Sequence, residues 1–260
     1  MALCVDTFFH QDSSTLSYIL SDPDSGEAAI IDPVLDFDYA AGRSHTAFAD
    51  RLIEHVKHLN LQVKWILETH AHADHLTAAQ YLKTKLGGLI AIGQGITKVQ
   101  RTFQSIFNLH DSLPLDGSDF DHLFYDGDKF SLGDMQGTVL ATPGHTNDSL
   151  SYVIDVNAFV GDSLFMPDAG TARCDFPGGS AALLYQSVQK LYALGDDIRI
   201  YVGHDYQPQG RALAYMATVA EHKARNIHIS AKTSEAVFVQ TRQARDATLA
   251  VPRLIVPSIQ

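Results

Sequence analysis

The chain has 260 residues, 45% of them hydrophobic and 19% charged, which excludes a wholly disordered, collagen-like or coiled-coil protein and leaves enough apolar side chain for a sizeable core. Its 19 Lys+Arg against 30 Asp+Glu give a net charge of −11, arguing against non-specific nucleic-acid binding and against docking on an anionic membrane, both of which need positive charge. Two cysteines, Cys4 and Cys174, are too few for a disulfide framework, residues 1–10 do not read as a signal peptide, and no stretch approaches the ~20 apolar residues that span a bilayer, so a cytoplasmic location is expected.

Strand and helix signals interleave along the chain. Thr15–Leu20 and Ala28–Asp32 are short β-like runs separated by Ser21–Gly26, whose Pro23 and Gly26 suit a hairpin turn. Phe48, Leu52, Ile53, Val56 and Leu59 recur at helical spacing and predict a helix over about 47–59, followed by a strand at Val63–Leu67. A second helix is expected over about 76–86, ended by Gly87-Gly88, then a buried strand at Leu89–Ile92 and a third helix marked by Val99, Phe103, Ile106 and Phe107. Residues 111–127 are rich in Asp, Ser and Gly and read as an exposed loop carrying little core. Strands are expected at Gly137–Ala141, Leu150–Ile154, Ala158–Val160 and Ile198–Val202, with a helix face at Ala181, Leu184, Tyr185, Val188, Leu191 and Tyr192 before the last. The alternation predicts a layered α/β domain over residues 1–260, with a helical tail from about 211 and an irregular end containing Pro252 and Pro257.

The densest chemical signal is Thr69-His-Ala-His-Ala-Asp-His75, between a predicted strand and a predicted helix. His70 and His72 share a face of extended backbone, whereas Asp74 and His75 are adjacent where the chain turns, so the side chains can converge on one metal or on two a few Å apart. Pro143-Gly-His145, Gly161-Asp162 and Gly203-His204 each place a ligand-type residue beside a glycine just past a strand's C-terminal end, where α/β folds gather their sites. His10, His45, His55, His58, His110, His122, His222 and His228 are read instead as surface or hydrogen-bonded residues.

Together these motifs resemble the metallo-β-lactamase fold superfamily over residues 1 to about 204. The resemblance implies a four-layer αββα sandwich with a metal site at the edge of the two sheets. It would draw a first metal position from His70, His72, His145 and bridging Asp162, and a second from Asp74, His75, Asp162 and His204. Within the superfamily, the ligand residues permit two chemistries: a binuclear Zn or mixed Zn/Fe centre that hydrolyses a thioester, as in glyoxalase II, or a single Fe(II) held by two His and one carboxylate.

Gly170-Thr-Ala-Arg-Cys-Asp-Phe176 and His204-Asp-Tyr206 resemble the bacterial persulfide dioxygenases. That resemblance implies one Fe(II) per chain on His70, His145 and Asp162, with His72, Asp74, His75 and His204 as neighbours, and glutathione persulfide oxidised by O2 to sulfite and glutathione in hydrogen sulfide detoxification. Arg173 is expected to bind a substrate carboxylate or to hold a local acid such as Asp175, and Tyr206 to bond the peptide part of the substrate or to sit in the core. Cys174 is read as a buried small hydrophobe rather than a sulfur carrier. The sequence departs from shorter mitochondrial-type members in its longer 108–127 connection and in the chain beyond His204. It leaves the oligomeric state open, a homodimer included.

Overall fold

The computed structural model describes residues 2–109, 114–252 and 254–256. Its first half runs β1 (Cys4–His10), β2 (Thr15–Ser21), β3 (Glu27–Ile31), β4 (Val34–Asp38), β5 (Arg43–His45), α1 (Ala47–His58), β6 (Gln62–Leu67), β7 (Leu76–Thr77), α2 (Ala79–Leu86), β8 (Leu89–Gly93), α3 (Ile96–Phe107) and β9 (His122–Phe124). The second half continues with β10 (Lys129–Leu132), β11 (Met135–Ala141), β12 (Leu150–Ile154), β13 (Asn157–Phe159), α4 (Ala181–Tyr192), β14 (Arg199–Tyr201), β15 (Met216–Thr218), α5 (Val219–Arg225) and α6 (Glu235–Asp246).

Two six-stranded sheets result, ordered β1-β2-β3-β6-β8-β9 and β10-β11-β12-β13-β14-β15, while β5-β4-β7 form a small third sheet. Pairings across tight turns are antiparallel; those reached through a helix, such as β3 with β6, β6 with β8 and β13 with β14, are parallel, as crossover connections require. The period-two alternation of the strands sorts the core. Ile19, Ile30, Ile66 and Ile90 face outward onto Phe48, Leu52 and Val56 of α1 and Leu82 of α2. Tyr18, Leu20, Ile31, Leu67 and Ala91 face inward onto Phe130, Val139 and Tyr152 of the opposing sheet. With α4 and α6 packed beyond the second sheet, the layers are αββα, and β2 is buried at every position because both its faces are covered.

Several expectations shift. The helix expected from Leu76 starts at Ala79, because Leu76 and Thr77 pair with β4. The expected 111–127 loop contains β9, whose Phe124 is fully buried between the sheets; its residues 111–113, like His110 and Pro257, lie outside the described residues. Beyond residue 211, β15 joins the second sheet as its edge strand and α6 inserts Phe238 into the core beside Tyr185. No helix of the described residues is long and apolar enough to cross a membrane.

His222 and His228, in the C-terminal region, are buried neutral imidazoles. His228 Nδ1 accepts the Thr171 N–H at 3.0 Å and His222 Nδ1 accepts from the Asn226 amide at 3.2 Å. Burial pushes both down to about 4, helped at His228 by Arg242 and Arg245. A depressed folded-state value means the neutral form stabilises the fold fully above pH 6.5 and that this stabilisation is lost as pH falls from there through 4, about 2 kcal/mol per histidine near pH 4.5. Thermal melts between pH 7 and 4.5 should therefore fall steeply for the wild type and less steeply for His222→Gln. Parallel profiles for the two proteins would contradict the burial argument.

Candidate metal centre

Strand ends from both sheets meet at one edge of the sandwich. β6 leads into residues 69–75, β11 into His145, β13 into a 3-10 turn carrying Asp162, and β14 into His204. Backbone bonds stitch these ends together: Leu150 N–H to Thr69 O at 2.8 Å, Leu16 N–H to Gly203 O at 2.8 Å, and Gly203 N–H to Gly161 O at 3.1 Å. The glycines beside the ligand-type residues are there for space. Gly161 has φ +49° and a Cβ on it would lie 2.3 Å from Thr69 Oγ1; one on Gly203 would lie 2.9 Å from Asp162 Oδ1.

His70, His145 and Asp162 form the innermost group, their ligand atoms all within 4.8 Å of one another. His145 Nε2 is 3.5 Å and His70 Nε2 4.0 Å from Asp162 Oδ2. The other ring nitrogens are committed. Thr69 Oγ1 donates to Asp32 Oδ2 at 2.7 Å, so it is free to accept the His70 Nδ1–H at 2.9 Å, and the Arg173 carbonyl accepts the His145 Nδ1–H at 2.7 Å. Both Nε2 lone pairs therefore face the carboxylate.

His72 stands beside His70, ring centroids 4.2 Å apart, and is fixed through one nitrogen while its Nδ1 is left unpartnered. Its Nε2 lies 3.2 Å from Asp32 Oδ1 and 3.1 Å from Glu68 Oε2, and it groups with Asp32 and Glu68 on one side and with Asp74 and His75 on the other. Asp74 Oδ2 is 3.2 Å from both His75 Nδ1 and His204 Nε2, and His204 Nε2 is 3.4 Å from Asp162 Oδ1. The structure thus brings all seven expected residues to one edge as two adjoining sets.

His70 Nε2, His72 Nδ1, His75 Nε2 and Asp162 Oδ1 are buried without a hydrogen-bond partner. Each such atom costs about 1–3 kcal/mol unless something fills it, and a cluster of nitrogen and carboxylate lone pairs is the donor set of a transition-metal ion. Burial holds His70 well below the ordinary imidazole range, helped by His72 and His145, which suits a neutral ligand. Burial would also lower His72, but Asp32 and Glu68 outweigh it and hold that ring well above the ordinary range.

A cleft of about 1190 Å3 opens onto Asp74, His75, His145, Asp162 and Tyr206. Arg173 lines it, but the guanidinium is engaged within the chain: Nε and Nη2 each donate to Asp175 at 2.6 Å, Nη1 donates to the Ala250 carbonyl at 2.5 Å, and the group lies over the Phe176 ring. Of the two roles expected for Arg173, the geometry places it in the second, holding Asp175. Tyr206 is neither core nor committed: it is half-exposed, stacked on His204 with ring centroids 5.5 Å apart. Cys174 is buried and its thiol is pushed up to about 12 by burial, so it stays protonated and unreactive at neutral pH.

Sequence reasoning missed Asp32, Glu68 and Asp148. Asp148, buried, accepts the Ala71 N–H at 2.7 Å and so holds the histidine segment from the second sheet. Its only sequence signal is its place three residues after His145 in a short Thr-Asn-Asp-Ser turn.

The family model for the metallo-beta-lactamase superfamily matches residues 11–204. The chain is 50% identical over 268 residues to a probable metallo-hydrolase of Burkholderia pseudomallei (99% of this chain, 91% of that protein). It is 49% identical to a beta-lactamase hydrolase-like protein of Xylella fastidiosa, covering 98% of this chain but spanning only 59% of that protein's length. Glyoxylase B2 of Dictyostelium discoideum is 45% identical (98% and 88%), and the mitochondrial persulfide dioxygenase ETHE1 of Homo sapiens 32% (89% and 78%). Among solved structures, ETHE1 from Myxococcus xanthus superposes with a TM-score of 0.78 at 30% identity, over 98% of this chain and 96% of that one.

Replacing His70, His145 or Asp162 by Ala should abolish metal binding, whereas replacing Asp74 or His75 should leave most of the metal in place while costing ~10- to 100-fold in activity, as for groups that orient ligands or water. Metal content of the purified variants, measured by elemental analysis, checks this; equal loss from both groups would indicate a shared binuclear site.

Proposed function

The chain belongs to the metallo-beta-lactamase superfamily, and on that premise we propose that it is a persulfide dioxygenase acting on glutathione persulfide at a mononuclear iron centre. The observation that carries the reading is the closure of His70, His145 and Asp162 into a two-histidine, one-carboxylate trio whose ligand atoms lie within 4.8 Å of one another. Such a trio occupies one face of an ion and leaves positions open for two reactants. Bound Fe(II) would supply the redox chemistry between O2 and the terminal sulfur.

The overall change is persulfide plus O2 plus water to thiol plus sulfurous acid, which ionises to sulfite and two protons. The S–S bond breaks, the outer sulfur gains three oxygens, and O2 takes up the four electrons. The chain's own groups have three tasks. Thr69 and the Arg173 carbonyl fix the His70 and His145 rings through Nδ1, so that both Nε2 atoms are presented without reorganisation. The cleft beside Asp162 admits the thiol tail, with the Tyr206 ring at its wall. The row His75, Asp74 and His204, in contact at 3.2 Å per link, is placed to hold a proton for the departing thiolate.

A second reading is a glyoxalase II-type thioester hydrolase with two metals. It is favoured by the unpartnered Asp162 Oδ1 facing the Asp74, His75 and His204 set, and by the relatives of 45–50% identity, which carry hydrolase or glyoxylase names, whereas the dioxygenase relatives stand at 31–32%. Both readings share a glutathione-linked substrate. One preparation assayed in an oxygen electrode with glutathione persulfide and, separately, for hydrolysis of an S-acyl glutathione distinguishes them. We expect O2 uptake with the persulfide and a nearly untouched thioester; fast thioester cleavage without O2 uptake would establish the hydrolase instead.

A further inference from the structure

The C-terminal helix α6 lies beyond residues 11–204 of the family match, yet it reaches the metal centre through one loop. Arg242 and Asp246, one turn apart on α6, form a buried ion pair: Nη2 to Oδ1 at 2.6 Å and Nε to Oδ1 at 2.9 Å, both side chains less than a tenth exposed. Each partner also grips the loop that follows Asp162. Arg242 Nη1 donates to the Thr171 carbonyl at 3.0 Å, and Asp246 Oδ2 accepts the Cys174 N–H at 2.9 Å. Between those two held residues lies Arg173, whose carbonyl accepts the His145 Nδ1–H.

We propose that the Arg242–Asp246 pair is a positioning device for His145: by fixing the Arg173–Cys174 peptide through its N–H and the Thr171–Ala172 peptide through its carbonyl, it aims the Arg173 carbonyl at Nδ1 and keeps the Nε2 lone pair of His145 directed at Asp162. An imidazole has one proton to place when neutral, and the acceptor that the surroundings offer decides which nitrogen keeps it. The peptide that carries the Arg173 carbonyl is the same one whose N–H, on Cys174, is bound by Asp246, so a single plane links the helix carboxylate to the histidine. A buried pair is a costly way to stabilise a helix, because both charges lose their hydration, and the pair is economical only if its remaining donor and acceptor hold something else in place. Here both do. The other anchors of the loop leave Arg173 C=O unfixed: Arg173's side chain binds Asp175 and Ala250, and His228 binds the Thr171 N–H.

The inference rests on His145 being a ligand of the proposed centre, but not on whether one metal or two is bound, nor on which reaction follows. It is tested on metal-free protein by 15N NMR of the histidine rings, and by competition for Zn2+ against a chromophoric chelator. In the wild type His145 should carry its proton on Nδ1. Asp246→Ala should mix the two tautomers at His145 alone and weaken Zn2+ binding ~10- to 100-fold. Arg242→Lys, a gentler change that cannot bond Asp246 and the Thr171 carbonyl together, should shift both readouts the same way by less. Leu52→Ala, in α1 on the far side of the first sheet, serves as the stability control: it should lower the melting temperature while leaving tautomer and Zn2+ affinity at wild-type values. A wild-type His145 protonated on Nε2, or folded Asp246→Ala or Arg242→Lys protein with unchanged tautomer and affinity, would overturn the proposal. So would a Leu52→Ala variant that loses Zn2+ affinity as much as the brace variants do.

Discussion

Asp32 directly follows β3 with its carboxylate buried, and three donors converge on it: the Thr69 N–H at 2.7 Å, the Thr69 hydroxyl at 2.7 Å and the His72 ring at 3.2 Å. A buried carboxylate is tolerated only when its lone pairs are filled, so the segment that follows β6 is obliged to turn where Asp32 stands. The consequence runs outward from there. The Thr69 hydroxyl, spent on Asp32, must accept from His70 and so sets that ring's tautomer, while His72 is held through Nε2 with its Nδ1 left free. One anion therefore orients two of the four ligand-type residues in this run, His70 through Thr69 and His72 directly.

The same logic of fixing one ring nitrogen to free the other governs His145, but through a different route. His70 is oriented from within the first sheet; His145 is oriented by a carbonyl on the loop 170–176, and that loop is gripped from α6. The centre thus depends on both halves of the sandwich and on a helix outside the superfamily match. Glu68 adds a second carboxylate to His72, and its other oxygen accepts the Thr77 hydroxyl at the point where β7 pairs with β4, so the small third sheet is tied to the histidine segment as well.

Much of this was legible in the sequence where one physical signal dominated. Helical spacing at Phe48, Leu52 and Val56 located α1, and the apolar run Leu150–Ile154 matched β12 end to end. The ligand-type residues were legible because histidine and aspartate beside strand-ending glycines have no packing role to compete with. Elements with mixed burial were not: β4 buries only Val34 fully, and β9 has three residues inside a stretch whose composition reads as loop, although Phe124 is core. Asp32, Glu68, Arg242 and Asp246 were missed because their partners lie 4 to 72 positions away and include backbone groups, which leave no mark in side-chain spacing. The engagement of Arg173 by Asp175 and the Ala250 carbonyl could only come from coordinates.

The central claim is that one ion sits on His70, His145 and Asp162 while His72 remains with Asp32 and Glu68. The most direct measurement is an anomalous difference map, collected at the iron edge from crystals of the iron-loaded protein. The account predicts a single peak within coordinating distance of His70 Nε2, His145 Nε2 and Asp162, with His72 Nδ1 outside coordinating distance. A second peak of comparable height among Asp74, His75 and His204, or His72 Nδ1 ligating the first, would contradict it.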